Sequence, residues 1–398
     1  MTLRVALIGY GFMGAAHSVG WRQAPAVFDL PDAVEMAVVV GRNAEAVAEA
    51  AAHWGWAESA TDWREVIARD DIDIVDIVTP GDSHAEIAIA ALAAGKHVLC
   101  EKPLANSVEE AERMTAAAAE AATRGIRSSV GFTYRRVPAV TLMRDLIAEG
   151  RIGTVQQVRA AYRQDWLVDP AMPLAWRLQK EHAGSGALGD IGAHIIDMTQ
   201  FVTGQAIESV SGVVDTIVKQ RPLQGSGSGL AGTAAEGFGE VTVDDVAIFT
   251  GRLAGGALAS FEATRFATGR KNALTLEVSG DKGALAFDLE DLNSVRFYDR
   301  TAEEQLQGFT QILVTEGVHP YISAWWPAGH MLGYEHGFVH QAKDFVEGID
   351  KGVDAHPTFA EGLAVQRVLE AVELSAGDRS RWVRTDREDA LAGAGKEN

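Results

Sequence analysis

The sequence is poor in cysteine, in basic charge and in long apolar runs. Its single cysteine, Cys100, excludes an internal disulfide, so we expect no dependence on an oxidising compartment. Lys and Arg together number 35 against 55 Asp and Glu, which gives a formal net charge of -20 at pH 7. Because nucleic acids and anionic membranes attract basic surfaces, this charge argues against both as partners.

The apolar segments are also too short to span a bilayer. The first residues, MTLRVALIGYGFMG, lack the architecture of a signal peptide, because a short apolar run leads directly into glycines. We therefore expect a soluble cytoplasmic protein. Its 398 residues, 47% hydrophobic and 23% charged, have an ordinary globular composition and suffice for two domains.

Strand-like and helix-like segments alternate over the first 130 residues. The predicted strands are LRVALI, EMAVVV, IDIVDIVTP, KHVLCEKP and RSSVGFTY, and the segments between them have helical composition. The last of these helices begins with a capping box, in which Ser107 is followed three residues later by Glu110. This alternation predicts an α/β fold with a doubly wound parallel sheet of the Rossmann type.

The pattern changes between about residues 125 and 150, after which longer strands joined by short turns such as SGDKG predominate. This is typical of an α+β domain with a large, mostly antiparallel open sheet. The glycine-rich stretch 225–240 is predicted to be a mobile loop. We predict a first domain over residues 1–130, a second over 131–390 and a disordered tail over 391–398.

Gly9, Gly11 and Gly14 form a GxGxxG motif between the first predicted strand and the first predicted helix. The first glycine allows a tight turn, the second lets a pyrophosphate approach, and the third lets helix and strand pack closely. The helix N-terminus then faces the anion. The motif therefore predicts a dinucleotide site, which by position includes Tyr10, Phe12 and Met13.

The end of the second predicted strand bears on the choice of dinucleotide. NAD-binding folds usually place an acidic residue there, which holds the ribose 2′-hydroxyl. In this sequence Gly41 takes that place, and Arg42 and Asn43 follow. A missing carboxylate beside an arginine suits a 2′-phosphate, so the sequence favours NADP over NAD. Alternatively, Arg42 stacks on adenine or faces solvent.

Two further segments end neighbouring predicted strands, where open parallel sheets bind their ligands. Lys102, in CEKP, could stabilise a developing alkoxide, or it could be an ordinary surface lysine. In TPGDSH, the residues that could border the nicotinamide or cap the next helix are Thr79, Pro80 and His84.

The stretch GALGDIGAHIIDM places Asp190 and His194 four residues apart among glycines and aliphatic residues. On a regular helix these two side chains would share one face. A buried histidine held by a carboxylate is one explanation. A divalent metal site that includes Asp197 is another, although the sequence has no other cluster with recognisable ligand spacing.

The motifs GYGFMG, TPxxxH, EKP and GDxGxHxxD occur in the order and approximate spacing of the Gfo/Idh/MocA family (glucose–fructose oxidoreductase, inositol dehydrogenase, MocA). The sequence resembles this family over nearly its whole length. The resemblance implies a Rossmann domain, a C-terminal domain with an open antiparallel sheet, NAD or NADP as cofactor, and a sugar or polyol substrate. It also implies a homodimer or homotetramer.

Within the family, four stretches are similar to members that oxidise the 3-hydroxyl of a levoglucosan-like anhydrosugar: YRRVPAV, QDWLVDPAMPLAWRLQK, GSGALGDIGAHIIDM and KQRPLQ. The resemblance implies a catalytic centre of Lys102, Asp190 and His194, with Glu101 and Lys102 near the cofactor. The residues that it implies around the sugar are Tyr134, Gln164, Trp166, Arg177, Asp190 and His194. Thr133 departs from the asparagine that the family often has. An inositol dehydrogenase, a glycoside 3-dehydrogenase and a non-catalytic NAD(P)-binding regulator remain alternatives.

Roles follow from the chemistry of alcohol oxidation. His194 is interpreted as the general base, since the pKa of histidine suits neutral pH. Asp190 would accept a neighbouring sugar hydroxyl, and Lys102 would stabilise the alkoxide. Gly184, Gly186, Gly189 and Gly192 would let backbone approach the substrate. Asp197 would orient His194 or cap its helix. The aromatic and histidine cluster between Trp325 and His340 could border a pocket or contact another subunit.

Overall fold

The computed structural model describes residues 2–225 and 233–386. Within these ranges the helices are α1 (Phe12–Val27), α2 (Ala44–Trp54), α3 (Trp63–Ile67), α4 (His84–Ala93), α5 (Val108–Ala122), α6 (Pro138–Ala148), α7 (Lys180–Ala183), α8 (Ala193–Thr203), α9 (His336–Lys351) and α10 (Phe359–Gly377). The first strands are β1 (Thr2–Ile8), β2 (Ala33–Val40), β3 (Glu58–Ala60), β4 (Ile74–Ile77), β5 (His97–Cys100), β6 (Ser128–Val130), β7 (Val155–Arg163), β8 (Ile207–Asp215) and β9 (Gln220–Gln224). The remaining strands are β10 (Ala234–Glu240), β11 (Val246–Leu253), β12 (Leu258–Thr264), β13 (Ala273–Gly280), β14 (Gly283–Asp288), β15 (Ser294–Asp299), β16 (Thr310–Leu313) and β17 (Val383–Arg384).

The chain divides into two compact units. The first unit comprises Met1–Val137, Ala324–Trp326 and Leu332–Leu363. The second comprises Pro138–Ser323, Pro327–Met331 and Ala364–Asn398. The predicted second domain, 131–390, therefore includes segments that pack with the first unit.

The first unit contains a six-stranded sheet in the order β3-β2-β1-β4-β5-β6, in which every neighbouring pair is parallel. The order reverses between β1 and β4, which is where open sheets of this kind bind ligands. Both faces are covered, so β4 is buried along its whole length. The predicted Rossmann sheet is confirmed.

Helix α9 explains why a late segment belongs to the first unit. Its apolar residues Val339, Phe345 and Val346 are buried in the same core as Leu7 and Leu99 of the parallel sheet. Burial of this apolar stripe against the sheet removes its side chains from water, which stabilises the association. The sequence of this segment could not indicate the sheet on which the helix packs.

The second unit contains a sheet that, over the described residues, has nine strands in the order β16-β15-β14-β13-β7-β12-β11-β8-β17. Its described neighbours are antiparallel except β7 and β12, which are parallel. Side chains of β11 alternate between buried and exposed, as expected for a sheet with one covered face. The predicted mostly antiparallel sheet is confirmed.

The glycine-rich stretch 225–240 differs from the predicted loop. Ala234–Glu240 forms strand β10, which pairs antiparallel with β9, because cross-strand hydrogen bonds hold a segment that has little strand propensity of its own. The remainder, 226–232, and the predicted disordered tail, 391–398, lie outside the described residues. No helix in the described ranges is long and apolar enough to cross a membrane.

Candidate functional site

The glycine turn after β1 has the geometry of a dinucleotide cradle. Gly9 has φ +115°, and a Cβ there would lie 2.9 Å from the carbonyl oxygen of Val78. A Cβ on Gly14 would lie 2.7 Å from the Gly9 carbonyl oxygen, whereas one on Gly11 would meet nothing within 4 Å. Gly9 and Gly14 thus have no room for a side chain, whereas the space next to Gly11 is open. Helix α1 has no acidic residue in its first turn, so its N-terminus suits a pyrophosphate.

Gly41 has a structural reason to lack a side chain. A Cβ on Gly41 would lie 2.1 Å from the ring of Tyr10, which covers this end of β2. Asn43 caps α2, because its side chain accepts a hydrogen bond from the Ala46 N–H at 3.0 Å. Of the three residues predicted to bind the adenosine end, Gly41 and Asn43 thus have structural roles, and Arg42 has an exposed side chain.

His84 connects the two segments that end β4 and β5. Its Nε2 lies 2.9 Å from the Thr79 carbonyl oxygen, and its Nδ1 lies 3.1 Å from that of Pro103. The side chain is buried at the start of α4. Its ring nitrogens thus face the protein's own backbone, and we assign His84 to holding these two segments together.

Glu101 belongs to a buried charge chain, Asp76–His17–Glu101, which the sequence analysis did not identify. His17 Nδ1 lies 2.8 Å from Asp76 Oδ2, and His17 Nε2 lies 3.0 Å from Glu101 Oε1. Trp21 Nε1 also donates to Asp76 Oδ2, at 2.7 Å. Burial lowers the pKa of His17, but the charges and hydrogen bonds of Asp76 and Glu101 raise it by more, to about 10. His17 is therefore an imidazolium at neutral pH.

This chain bears directly on Lys102. The second oxygen of Glu101, Oε2, accepts a hydrogen bond from the Lys102 backbone N–H at 3.1 Å. Both Glu101 oxygens thus have partners inside the protein, so we assign Glu101 to positioning rather than to cofactor contact. Lys102 itself is partly buried at the carboxyl edge of the parallel sheet.

Aromatic residues of the first unit lie near the glycine turn. The rings of Phe12 and Tyr334 stack with centroids 6.5 Å apart, and those of Tyr134 and Tyr334 are 6.4 Å apart. Met13 packs against the core beneath. Thr133, the departure from the family pattern, donates from Oγ1 to Gln341 Oε1 at 3.0 Å. Tyr134 and Thr133 are therefore both fixed by residues of the late segment.

In the second unit, the stretch around Asp190 is not a regular helix. Asp190 lies in a π-helical turn, Leu188–Gly192, and His194 lies in the first turn of α8. A π-helical turn places more residues in each turn than an α-helix, so the expected common face does not follow from the spacing. Such turns are rare and are frequently found at functional sites.

Asp244 holds the start of this turn. Its Oδ1 accepts a hydrogen bond from the Gly186 N–H at 2.7 Å, and its Oδ2 accepts one from the Leu188 N–H at 2.8 Å. A Cβ on Gly186 would lie 1.7 Å from the Asp244 carbonyl oxygen. The expectation that Gly186 admits substrate is therefore wrong, because its close neighbour is the protein's own backbone.

Arg265 connects the turn to the predicted sugar-binding residues. Its Nη2 donates to Asp190 Oδ2 at 2.8 Å and to the Gly186 carbonyl oxygen at 3.0 Å. Its Cζ lies 5.2 Å from the ring centroid of Trp166. The charges of Asp190 and Arg265 both act on Arg177. Burial lowers the pKa of Arg177, the Asp190 charge opposes this decrease, and the Arg265 charge adds to it.

A chain of hydrogen bonds orders the residues after β7. Trp166 Nε1 donates to Gln164 Oε1 at 2.8 Å, and Gln164 Nε2 donates to Asn272 Oδ1 at 2.8 Å. The same oxygen accepts from Tyr162 Oη at 2.7 Å. The Tyr162 ring lies 5.9 Å from the ring of His194, centroid to centroid. The structure thus brings together Gln164, Trp166, Arg177, Asp190 and His194 in the second unit.

Two other sequence-based interpretations are settled by burial. Asp197 is buried inside α8, whose N-cap is Gly192, so Asp197 does not cap this helix. In the first unit, Trp325 Nε1 donates to His340 Nε2 at 2.8 Å, and His340 Nδ1 donates to the Arg136 carbonyl oxygen at 2.9 Å. Burial lowers the pKa of His340 to about 4, so its imidazole is neutral at pH 7 and forms part of the interior of the first unit.

Residues that the sequence analysis missed have little local signal. Asn272 and Arg265 follow no recognisable motif, and Asp244 follows a turn like many others. Asp76 carries the one usable signal, since a carboxylate inside the apolar run IVDIV must find a partner. Among the described residues, no group of three or more His, Cys, Asp or Glu could hold a metal ion.

Comparisons with known proteins agree with this architecture. Residues 3–129 match the oxidoreductase family with an NAD-binding Rossmann fold, and residues 140–286 match the GFO/IDH/MocA C-terminal domain. The chain is 42% identical to levoglucosan dehydrogenase of Pseudarthrobacter phenanthrenivorans over 96% of this chain and 97% of that protein.

Solved structures extend the likeness to three dimensions. An oxidoreductase domain protein from Kribbella flavida is 59% identical with TM-score 0.93, and the match covers 97% of this chain and all of that one. A levoglucosan dehydrogenase in complex with NADH and levoglucosan is 40% identical with TM-score 0.90, over 97% of this chain and 100% of that chain.

The glycine turn on a parallel sheet, together with the family match and the relatives, shows an oxidoreductase with an NAD-binding Rossmann fold. Within that class, the chain belongs to the Gfo/Idh/MocA family, as the resemblance of its motifs predicted.

Proposed function

We propose that the protein is an NAD(P)-dependent dehydrogenase that oxidises a secondary ring hydroxyl of a sugar to a ketone. The 3-hydroxyl of a levoglucosan-like anhydrosugar is the preferred substrate position. The observation that carries this proposal is the ordered group of Gln164, Trp166, Arg177, Asp190 and His194 in the second unit. The likeness to levoglucosan dehydrogenases over nearly the whole chain supports the same substrate class.

Each residue of the proposed centre has a distinct task. NAD(P), when bound, supplies the acceptor for the hydride that leaves the carbinol carbon. His194 takes the hydroxyl proton, so that the remaining electron pair forms the C=O bond. Lys102 stabilises the negative charge that develops on this oxygen. Asp190 accepts a hydrogen bond from a neighbouring hydroxyl and fixes the ring orientation.

The sugar-binding residues suit a polyhydroxylated ring. Trp166 offers an indole face for the apolar side of the sugar, and its N–H is already engaged by Gln164. Arg177, whose guanidinium lies 4.4 Å from the ring centroid of Trp176, supplies donors for hydroxyl oxygens. Tyr134 is proposed as a further sugar contact.

For the cofactor we propose a preference for NADP over NAD, carried by Arg42 alone. Gly41 adds no support, since its contact with Tyr10 explains the missing acidic side chain. The test is the ratio of kcat/KM for NADP to that for NAD. We expect Arg42→Ala to lower this ratio by about tenfold, the loss of one exposed phosphate contact. A wild-type protein that prefers NAD would contradict the preference.

We also propose a homodimer or homotetramer. The second unit's sheet has one partly exposed face, on which Val213, Ile248 and Leu258 are solvent-accessible apolar residues. Apolar side chains on an open sheet favour a partner. Light scattering after size-exclusion chromatography gives the mass, and a monomer at micromolar concentration would contradict this proposal.

The deciding experiment measures reduced nicotinamide after mixing the protein with NAD or NADP and levoglucosan, myo-inositol, glucose or a glycoside. We expect turnover of levoglucosan that His194→Ala and Lys102→Ala abolish. Surface variants His53→Ala and Lys351→Ala are the matched controls, since both side chains are exposed. Faster turnover of myo-inositol or of a glycoside would instead indicate an inositol dehydrogenase or a glycoside 3-dehydrogenase. Cofactor binding without any turnover would support a regulator instead.

A further inference from the structure

Arg265 is the most buried charge in contact with the proposed substrate residues. It directly follows β12, and its side chain is only 1% exposed. One nitrogen, Nη2, donates both to Asp190 Oδ2 and to the Gly186 carbonyl oxygen. The guanidinium also lies over the Trp166 ring. Arg265 therefore touches the π-helical turn and the indole at the same time.

Stability alone does not explain this arginine. Its Nε and Nη1 are buried and have no hydrogen-bond partner among the residues that the structure describes. Buried donors without acceptors cost free energy, and buried ion pairs often add no net stability over apolar residues of similar size. A buried guanidinium with unsatisfied donors therefore suggests a role in function.

The two partners are buried to different degrees. The Asp190 side chain is 31% exposed, whereas that of Arg265 is 1% exposed. A ligand can thus reach the carboxylate while the guanidinium fixes it from the protein side. Arg177, Asp244 and Asp245 are further charged groups that interact with Asp190, with Arg265 or with the Gly186 N–H. Of these, Arg177 is the second cation that acts on Asp190.

We infer that Arg265 is a positioning residue: it holds the Asp190 carboxylate oriented to accept a sugar hydroxyl, next to the Trp166 ring. Arg265 itself acts through Asp190 and not on the reacting atoms. The inference rests on the proposed function for the identity of the ligand. The contact between Arg265 and Asp190 stands without it.

The first test compares Arg265→Met, which keeps volume but removes charge, with Arg265→Lys, which keeps charge but loses the planar fork. A misplacement of a substrate-positioning group by about 1 Å can cost on the order of 100-fold in rate. We therefore expect Arg265→Met, which leaves the Asp190 carboxylate without its anchor, to lower kcat/KM for the sugar by at least about 30-fold. The dissociation constant of reduced cofactor, followed by its fluorescence, is expected to change less than about twofold.

Arg265→Lys is expected to recover part of the lost kcat/KM, because the charge remains next to Asp190. The control is Arg159→Met on β7, which removes an exposed arginine paired with Glu277. It is expected to leave the sugar KM unchanged. Equal losses of sugar and cofactor binding in Arg265→Met, or no loss of kcat/KM per folded enzyme, would overturn the inference.

The second test combines Arg265→Met with Asp190→Asn. If Arg265 acts through Asp190, its replacement will do little more once the carboxylate is gone, so the two losses in kcat/KM will not multiply. Multiplicative losses would overturn the inference. If wild-type protein turns over no sugar, the proposed function fails. The same cycle is then measured in the free energy of unfolding, where coupling supports the pair and independence refutes it.

Discussion

The glycine turn of the first unit and the π-helical turn of the second unit are held in place by different means. Gly9, Gly11 and Gly14 shape the first through backbone conformation and close packing within a few residues. The second depends on Asp244 and Arg265, which lie 58 and 75 residues along the chain from the backbone and side-chain groups that they bind. One turn is a local structure, and the other is assembled by the tertiary fold.

The two turns also present different chemical groups to a ligand. The glycine turn exposes backbone N–H groups, which suit any anion with phosphate geometry. The π-helical turn presents the Asp190 carboxylate, whose direction depends on a buried cation. We therefore expect cofactor binding to tolerate changes in the second unit, and sugar binding to depend on residues far from Asp190 in sequence.

The largest expected difference follows from adding one methyl group to Gly11 of the glycine turn or to Gly186, just before the π-helical turn. Gly186→Ala places Cβ against the Asp244 carbonyl, where no side chain can move aside, and we expect a loss of about 4 kcal/mol or more in stability. Gly11→Ala meets open space and is expected to cost less than about 1 kcal/mol. Denaturant unfolding measures both.

The two variants are also expected to differ in binding. Gly11→Ala narrows the approach to the pyrophosphate and is expected to weaken NAD(P) binding about tenfold. Intact cofactor affinity in Gly11→Ala, or a mild unfolding effect in Gly186→Ala, would contradict the assignment of these turns.

A second prediction concerns the acceptor that holds the π-helical turn. Asp244→Ala leaves the N–H groups of Gly186 and Leu188 buried without an acceptor, and we expect a loss of about 3 kcal/mol. Asp215→Ala is the control, because Asp215 lies exposed at the end of β8 and its carboxylate accepts from the N–H of the next residue, Thr216. Its expected loss is below about 0.5 kcal/mol. Similar urea midpoints for both variants would show that Asp244 does not stabilise the π-helical turn.

The buried His17 cation makes the stability of the first unit depend on pH. The folded-state pKa of His17 is raised from 6.5 to about 10, so its contribution is fully present below pH 6.5 and is lost as pH rises toward 10. At most, this loss is about 1.4 kcal/mol per pH unit across that window. His17→Gln is expected to flatten the decline between pH 7 and 9.

The control for this pH series is His53→Gln, at the exposed end of α2. It is expected to follow the wild-type stability curve. A wild-type decline that His17→Gln leaves unchanged would mean that other groups titrate in this range and that His17 is not held as a cation.

The smallest expected effect tests a local feature near the adenosine end. Asn43→Ala removes the cap of α2 and is expected to cost about 1 kcal/mol without changing turnover at saturating cofactor. Lys351→Ala breaks an exposed i,i+4 pair with Glu347 and is expected to cost at most about 0.5 kcal/mol. Equal thermal midpoints for the two variants would contradict the capping role.

Prediction from sequence succeeded where spacing is local. Five of the six strands of the parallel sheet and the start of α5 at the Ser107 cap were predicted at the observed places in the chain. Strand β3 and helix α3 were not predicted, because three and five residues show no usable period. Strand β10 was interpreted as loop, because its glycines outweighed a pairing that only β9 supplies.

The candidate site shows the same limit. The motifs located Lys102, Asp190 and His194, but the residues that hold them, including His17 and Arg265, carry no motif. Their roles depend on contacts between segments that are distant in sequence, and the hydrophobic period of a segment does not predict such contacts.

The sequence by itself determined the class of sheet in each half, the glycine cradle, and the absence of any internal disulfide, since these follow from residue type, period and short spacing. Only the tertiary structure decided that α9 packs with the parallel sheet, that Glu101 faces His17, and that Arg265 holds Asp190. Buried charges must be paired because desolvation is costly. Which partner each one finds is set by the packing of segments that the sequence keeps far apart.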